Sequence, residues 1–437
     1  MTAHADTAPS GLSVMWINRR VLIASLTGTA VEFYDFYIYA TAASLVFGPL
    51  FFPAESPSAQ LLASYASIGL AFIARPLGAS IFGHFGDRVG RKSTLVASLM
   101  LMGGSTLAIG FLPTYAMAGW VAPLLLCILR FGQGFGLGGE WGGAALLAVE
   151  NAPPGWRARF GMMPQLGAPV GFLAANGLFL ILGALLTDAQ FMEWGWRLPF
   201  LGSAILVGLG LWVRLKLTET PEFAAALEAA PPPAVPLADL FKRHLGATVT
   251  STLGAVSCFA TFYIATAFAL GHSTTTMGLP REAVLSVQLG AILFLALGII
   301  HAGWWSDSAS PRKVLMAGCI GTIIVGLGFG WLLEQANLPD LFAALAAALY
   351  IMGLTYGPLG AWLTDRFPTT VRYTGASVAF NGAGIIGGAM APIAAQGLVS
   401  SYGTASVGLY LSAAGLLSLV GLAFSPKQTL STSSPRT

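Results

Sequence analysis

Along this 437-residue chain the apolar positions neither alternate nor stripe one face of a helix. They run on for about twenty residues, stop at a short polar break and start again, long enough each time to cross a ~30 Å hydrocarbon core at 1.5 Å per residue. Twelve such runs are readable, at 20–48, 60–82, 93–112, 119–148, 160–186, 197–217, 245–270, 284–305, 313–333, 340–363, 373–399 and 404–425. Continuous runs of this length predict helices, because membrane barrel strands are short and alternate. The longest polar stretch between runs, Thr218 to His244, splits them six and six. The predicted organisation is a tail at 1–19, a six-helix bundle at 20–217, a linker at 218–244, a second bundle at 245–425 and a tail at 426–437.

Composition turns this pattern into an all-α integral membrane protein. Hydrophobic residues make up 55% of the chain and charged residues 9%, against roughly 25% charged in soluble domains, and mean hydropathy is +0.74. Residues 1–13 carry no leader pattern, so the first run is expected to stay as a span. Seventeen of the 21 Lys and Arg residues fall on the side that would hold both termini and two on the other. That asymmetry places the tails and the linker in the cytoplasm. The net charge of +3 then reflects threading, and no nucleic-acid partner is expected. Cys127, Cys258 and Cys319 are dispersed within spans, which predicts packing rather than a disulfide or metal site.

The two halves echo each other. Gly83, Asp87, Arg91 and Lys92 follow the second run, and Gly303, Asp307, Arg312 and Lys313 follow the eighth at similar spacing. Glu150 precedes Arg157 by seven residues, and Asp365 precedes Arg372 by seven. Duplicated six-helix halves are a transporter architecture whose binding site lies between them at the bilayer midplane.

Ionisable residues inside the runs are costly and mark function or a fixed pair. Glu32 and Asp35 lie near mid-depth of the first run on one stripe with Gly28 and Tyr39; Arg75 and Arg130 lie near mid-depth of the second and fourth. Gln133 and Glu140 share the face of Arg130, and Glu140 could instead pair near the cytoplasmic end. The functional reading is a proton-coupling set of Asp35, Glu32 and Arg130, with Arg130 and Arg75 neutralising the two acids. The alternative is a static pair that fixes packing. Arg75, Arg130, Gln133 and Tyr39 are candidate substrate contacts. Gln165 and Asn176 on one stripe of the fifth run, and Asn381 and Gln396 on one of the eleventh, line a cavity or bond helix to helix. His301 is a weak candidate for proton handling.

Gly134 to Gly139 fits a dinucleotide-loop spacing but sits inside a membrane helix, where small residues serve close packing. The run from Gly86 to Thr94 lacks the adjacent Gly-Lys of a phosphate loop. No cofactor or metal is expected, and an ion gradient is the expected energy source.

Gly83-His-Phe-Gly-Asp-Arg-Val-Gly-Arg-Lys92 resembles the loop signature of the major facilitator superfamily. The stretches at 28–43, 74–92, 130–157, 164–169, 219–223 and 367–377 resemble the metabolite:H+ symporter family within it. The resemblance implies twelve transmembrane helices in two pseudo-symmetric bundles in a bacterial inner membrane, functional as a monomer. It implies uptake of a small organic acid or a betaine-like zwitterion with protons. It further implies a cytoplasmic gate built from Gly83, Asp87, Arg88, Gly90 and Arg91, from Asp307, and from the pairs Glu150–Arg157 and Asp365–Arg372. In related sugar carriers a first-span acid pairs with a fourth-span arginine, roles that Asp35 and Arg130 match by position. The loop after Asp307 lacks the Gly-Arg of its counterpart, which predicts a weaker latch there. Rival readings are a proton-linked exporter, to which Gly167 to Gly171 bears a partial motif, and a nutrient sensor without flux. An enzyme is the least favoured reading and is not expected, since no nucleophile–base or metal motif appears.

Overall fold

The computed structural model describes residues 11–89, 91–138, 140–216, 236–368 and 371–425, all helix, turn or loop with no strand among them. The first half holds α1 (Arg19–Leu45), α2 (Pro57–Val89), α3 (Arg91–Ile109), α4 in two pieces (Val121–Leu137 and Glu140–Glu150), α5 (Arg157–Leu185) and α6 (Leu198–Lys216). The second holds α7 (Leu245–Thr275), α8 (Arg281–Ser308), α9 (Pro311–Glu334), α10 (Leu338–Thr364), α11 (Arg372–Tyr402) and α12 (Ala405–Phe424). Among the described residues nine of these rods are apolar and long enough to cross a membrane by length and composition alone. Large apolar side chains such as Ile73, Ile128, Ile205, Leu297 and Ile324 face outward, as a lipid solvent requires. The chain is a multi-pass membrane protein with twelve transmembrane helices in two six-helix bundles. The helix ends that carry both termini share one face, called here the terminal face.

The tail before α1 contributes a short helix, Gly11–Ile17, and the linker ends in another, Pro236–Arg243, with Leu240 buried. The rest of the linker, most of the first tail and residues 426–437 lie outside the described residues.

Glycine sets the helix spacing, and it does so twice. A Cβ on Gly134 of α4 would sit 2.3 Å from the Ala71 carbonyl oxygen of α2, and one on Gly78 of α2 would sit 1.9 Å from that of Phe135. In the second half, a Cβ on Gly298 of α8 would sit 2.3 Å from the Tyr350 carbonyl oxygen, and one on Gly353 of α10 would sit 2.7 Å from the Gly298 backbone. The equivalent helix pairs of the two bundles are thus drawn into backbone contact by the same device. The duplication read from charged motifs is also a duplication of packing.

Helices α7 and α11 each contain a π-helical turn, at Ile264–Phe268 and Gly384–Ala389. Such turns displace the i→i−4 ladder and leave carbonyls open to side chains. Both turns face the seam between the halves, against Tyr65, Phe72 and Gln288.

Candidate functional site

The mid-depth charges gather at the seam, but not in the predicted pairs. Asp35 is fully buried; Ser203 Oγ of α6 donates to its Oδ1 at 2.6 Å, and its Oδ2 has no hydrogen-bond partner. Arg130 is also fully buried, and no ion pair joins the two. The guanidinium of Arg130 lies over Tyr39 at 3.9 Å and over Phe36 at 4.2 Å, donating Nη1 to Gln133 Oε1. Gln133 then bridges: its Nε2 donates to the Asp35 backbone carbonyl and to Thr106 Oγ1, both at 2.9 Å. The expected Asp35–Arg130 neutralisation is corrected to an acid turned toward α6 and an arginine held on aromatic faces of α1. A guanidinium is weakly hydrated and planar, so ring faces can hold it.

Arg75 lies at the junction of the halves. It stacks on Phe36 at 4.5 Å and Phe72 at 4.7 Å, and its Nε is buried without a hydrogen-bond partner. Tyr37 and Glu32 of α1, Tyr263 of α7 and Tyr356 of α10 are its electrostatic neighbours. No carboxylate among the described residues is in ion-pair contact with it.

The other predicted contacts divide. Tyr39 donates to Ser67 Oγ at 2.7 Å, and both amide atoms of Gln133 are engaged inside the first bundle, so these two hold the scaffold. Gln165 is buried, accepts from Trp141 Nε1 at 3.3 Å and leaves its own Nε2 unpartnered. Asn381 reaches across the seam to the Gly138 carbonyl at 3.2 Å, beside Trp141 and Phe380, whose rings stack at 3.6 Å between the halves. Asn176 accepts from Thr41 Oγ1 at 2.6 Å, and buried Gln396 has an unpartnered Oε1. His301 is exposed, bonded to Tyr350 and stacked on Trp305, away from Asp35. Tyr263, Tyr356, Ser203 and Gln288 were missed; as single uncharged residues in long spans they carry no signal in one sequence.

At the terminal face the pairs cross over. Arg157 meets Asp365 at 2.6 Å and Arg372 meets Glu150 at 3.8 Å, so each half's arginine takes the other half's acid. The predicted pairing within each half is corrected: the seven-residue spacing puts acid and base on either side of a turn, both facing the seam. Asp307 of α8 accepts from the backbone N–H groups of Ala158 at 2.8 Å and Arg159 at 3.1 Å and pairs with the Arg159 side chain at 3.3 Å. The Arg159 guanidinium lies between Trp156 at 4.2 Å and Trp304 at 4.3 Å. This loop is therefore firmly anchored despite its missing Gly-Arg, because the first turn of α5 supplies the donors. Gly90, the surroundings of Gly83, and the side chains of Asp87, Arg88, Arg91 and Glu140 lie outside what the structure describes.

The opposite face is closed as well. Arg281 of α8 stacks on Phe191 at 3.9 Å and meets Asp188 at 3.2 Å, both from the short helix Asp188–Glu193 that follows α5. Ser44 and Tyr65 both donate to the Ala267 carbonyl, at 3.0 and 2.8 Å. Among the described residues the halves are thus joined by contacts at both ends of the seam, on either side of the buried charges.

Residues 20–230 match the family model described as sugar (and other) transporter. The inner membrane metabolite transport protein YhjE of Escherichia coli K12 is 50% identical over 97% of this chain and 98% of that protein. The shikimate transporter of the same organism is 40% identical over 92% of each. A solved structure of the proton:xylose symporter XylE, bound to 6-bromo-6-deoxy-D-glucose, superposes with a TM-score of 0.73 at 16% identity. It covers 93% of this chain and 95% of that one.

Proposed function

Because the chain belongs to the metabolite:H+ symporter family of the major facilitator superfamily, a transporter and not an enzyme, we propose that it carries a small organic acid into the cell together with a proton. The observation that carries this reading is a mismatch of buried charge. Arg75 and Arg130 rest on aromatic faces with no carboxylate in ion-pair contact, Glu32 acting on Arg75 only at longer range, while Asp35 rests on a serine without a cation in contact. A buried cation unmatched by protein is a place for a ligand anion, and guanidinium binds carboxylate by two parallel hydrogen bonds. A carboxyl group out of water and away from cations is suited to hold a proton and release it when water or charge arrives. Shikimate, which names one relative's cargo, is a carboxylate.

The cycle follows from differential stability. Proton on Asp35 and carboxylate at Arg75 favour closure around them, and the carrier then opens whichever face has the weaker latch. The Lys and Arg bias makes the terminal face cytoplasmic, so a proton gradient directed inward drives uptake. The described single chain contains both halves of the site, which suits a functional monomer in a bacterial inner membrane.

Uptake by proteoliposomes tests this. A gradient of two pH units, inside alkaline, stores ~2.7 kcal/mol per proton and supports ~100-fold accumulation. Asp35→Asn keeps the shape and the Ser203 contact, and is expected to lose accumulation while retaining exchange. Full accumulation by that variant would overturn the coupling role. Accumulation under the reversed gradient would instead support an exporter, and binding without flux a sensor.

A further inference from the structure

A small void lies between the halves on the side of Asp35 away from the terminal face. It is about 10 Å3, lined by Tyr37, Thr41, Phe172, Thr266 and Gln288 among others. Gln288 is 1% exposed, and its orientation is fixed by chemistry. Its amide nitrogen donates to two carbonyls of the π-helical turn in α7, Thr266 O at 2.8 Å and Ala265 O at 3.2 Å. Only the nitrogen can serve two acceptors, so Oε1 is the free atom, and it has no hydrogen-bond partner. A buried acceptor left open costs about 1–3 kcal/mol. Neither the packing of the seam nor the coupling set accounts for that cost.

We infer that Gln288 is a specificity-determining residue that receives a hydroxyl of the substrate, so that the cargo is a hydroxylated carboxylate. This rests on the carboxylate reading of Arg75. The void has the volume of one water, and a hydroxyl has the same size and the same donor–acceptor pattern. Tyr37 joins the two subsites, since it lines the void and its ring packs edge-on at 6.4 Å against that of Phe36, on which the Arg75 guanidinium lies. A carboxylate at Arg75 can therefore present a hydroxyl to Gln288 across the seam. A trimethylammonium group fits neither the volume nor the free acceptor. The neighbouring rings of Tyr37, Phe172 and Phe262 pack on one another at 5.1 to 6.1 Å and leave no cage for it.

The test compares two acids on one ring, quinate and cyclohexanecarboxylate, by equilibrium binding to the full chain in nanodiscs. Quinate is expected to bind about tenfold more tightly, the yield of one well-made hydrogen bond. Gln288→Leu should bring the two within about twofold by weakening quinate alone, and Tyr37→Phe should do so in part if the leucine variant fails to fold. Arg75→Met should abolish both. Equal affinities in the unaltered protein, or a preference that survives both Gln288→Leu and Tyr37→Phe, would overturn the hydroxyl assignment and leave the carboxylate reading standing. Absence of binding by either acid, or binding unaffected by Arg75→Met, would overturn the carboxylate reading itself.

Discussion

Asp307→Ala should unlatch the terminal face. The Asp307 side chain is 6% exposed and that of Arg159 17%, and their contact crosses from one half to the other. Removing one member of a buried pair typically costs ~3–5 kcal/mol. Arg159 keeps both tryptophan faces and some water, which reduces the figure to about 2–3 kcal/mol. Since the contact exists only while the halves are together at this face, the whole loss falls on the closed conformer. The ratio of open to closed molecules should rise about 30- to 150-fold. Ala361 is 1% exposed and packs at the seam with Val149 and Ala158. A cysteine placed there, with Cys127, Cys258 and Cys319 replaced, reports opening by its rate of maleimide labelling. Labelling should accelerate by the same factor at an unchanged melting temperature of the detergent-solubilised protein. An acceleration below about threefold would refute the reasoning, because the latch would then contribute under ~0.7 kcal/mol.

Two further outcomes are expected. Arg281→Ala should favour opening at the opposite face by about 5- to 30-fold, mostly through the lost Phe191 stack, since Asp188 is 94% exposed and its ion pair counts for little. Arg281→Lys should not restore the wild-type rate of cysteine labelling on that side, and full restoration would assign the latch to charge instead. Gly134→Ala places a methyl 2.3 to 2.4 Å from the Ala71 backbone, where no side chain can move aside. Folded, monodisperse protein on size exclusion should be lost, and a wild-type yield would mean that α2 and α4 separate at little cost.

The recurring apolar runs and the asymmetric charge were enough to read twelve spans, two halves and the buried acid and arginines. Lipid permits few solutions for a chain of this hydropathy, and a charge at mid-depth stands out against an apolar background. Legibility ended at pairing. Spacing along the chain suggested Glu150 with Arg157 and Asp365 with Arg372, but turns and helix ends deliver them to the seam in exchanged pairs. Position along two helices suggested Asp35 with Arg130, but rotation of α1 directs the acid to Ser203 and the rings of Phe36 and Tyr39 to the arginine.

The sequence by itself determined that this is a duplicated, all-helical membrane carrier with charges at its centre, since length, hydropathy and charge depth are local properties of the chain. Only the tertiary structure decided which charges meet, which faces are latched, and that Gln288 holds an open acceptor at the seam. Those facts depend on contacts that bring together residues 22 positions apart at Gln288 and Thr266 and 208 apart at Arg157 and Asp365, and on two π-helical turns that no residue pattern announces.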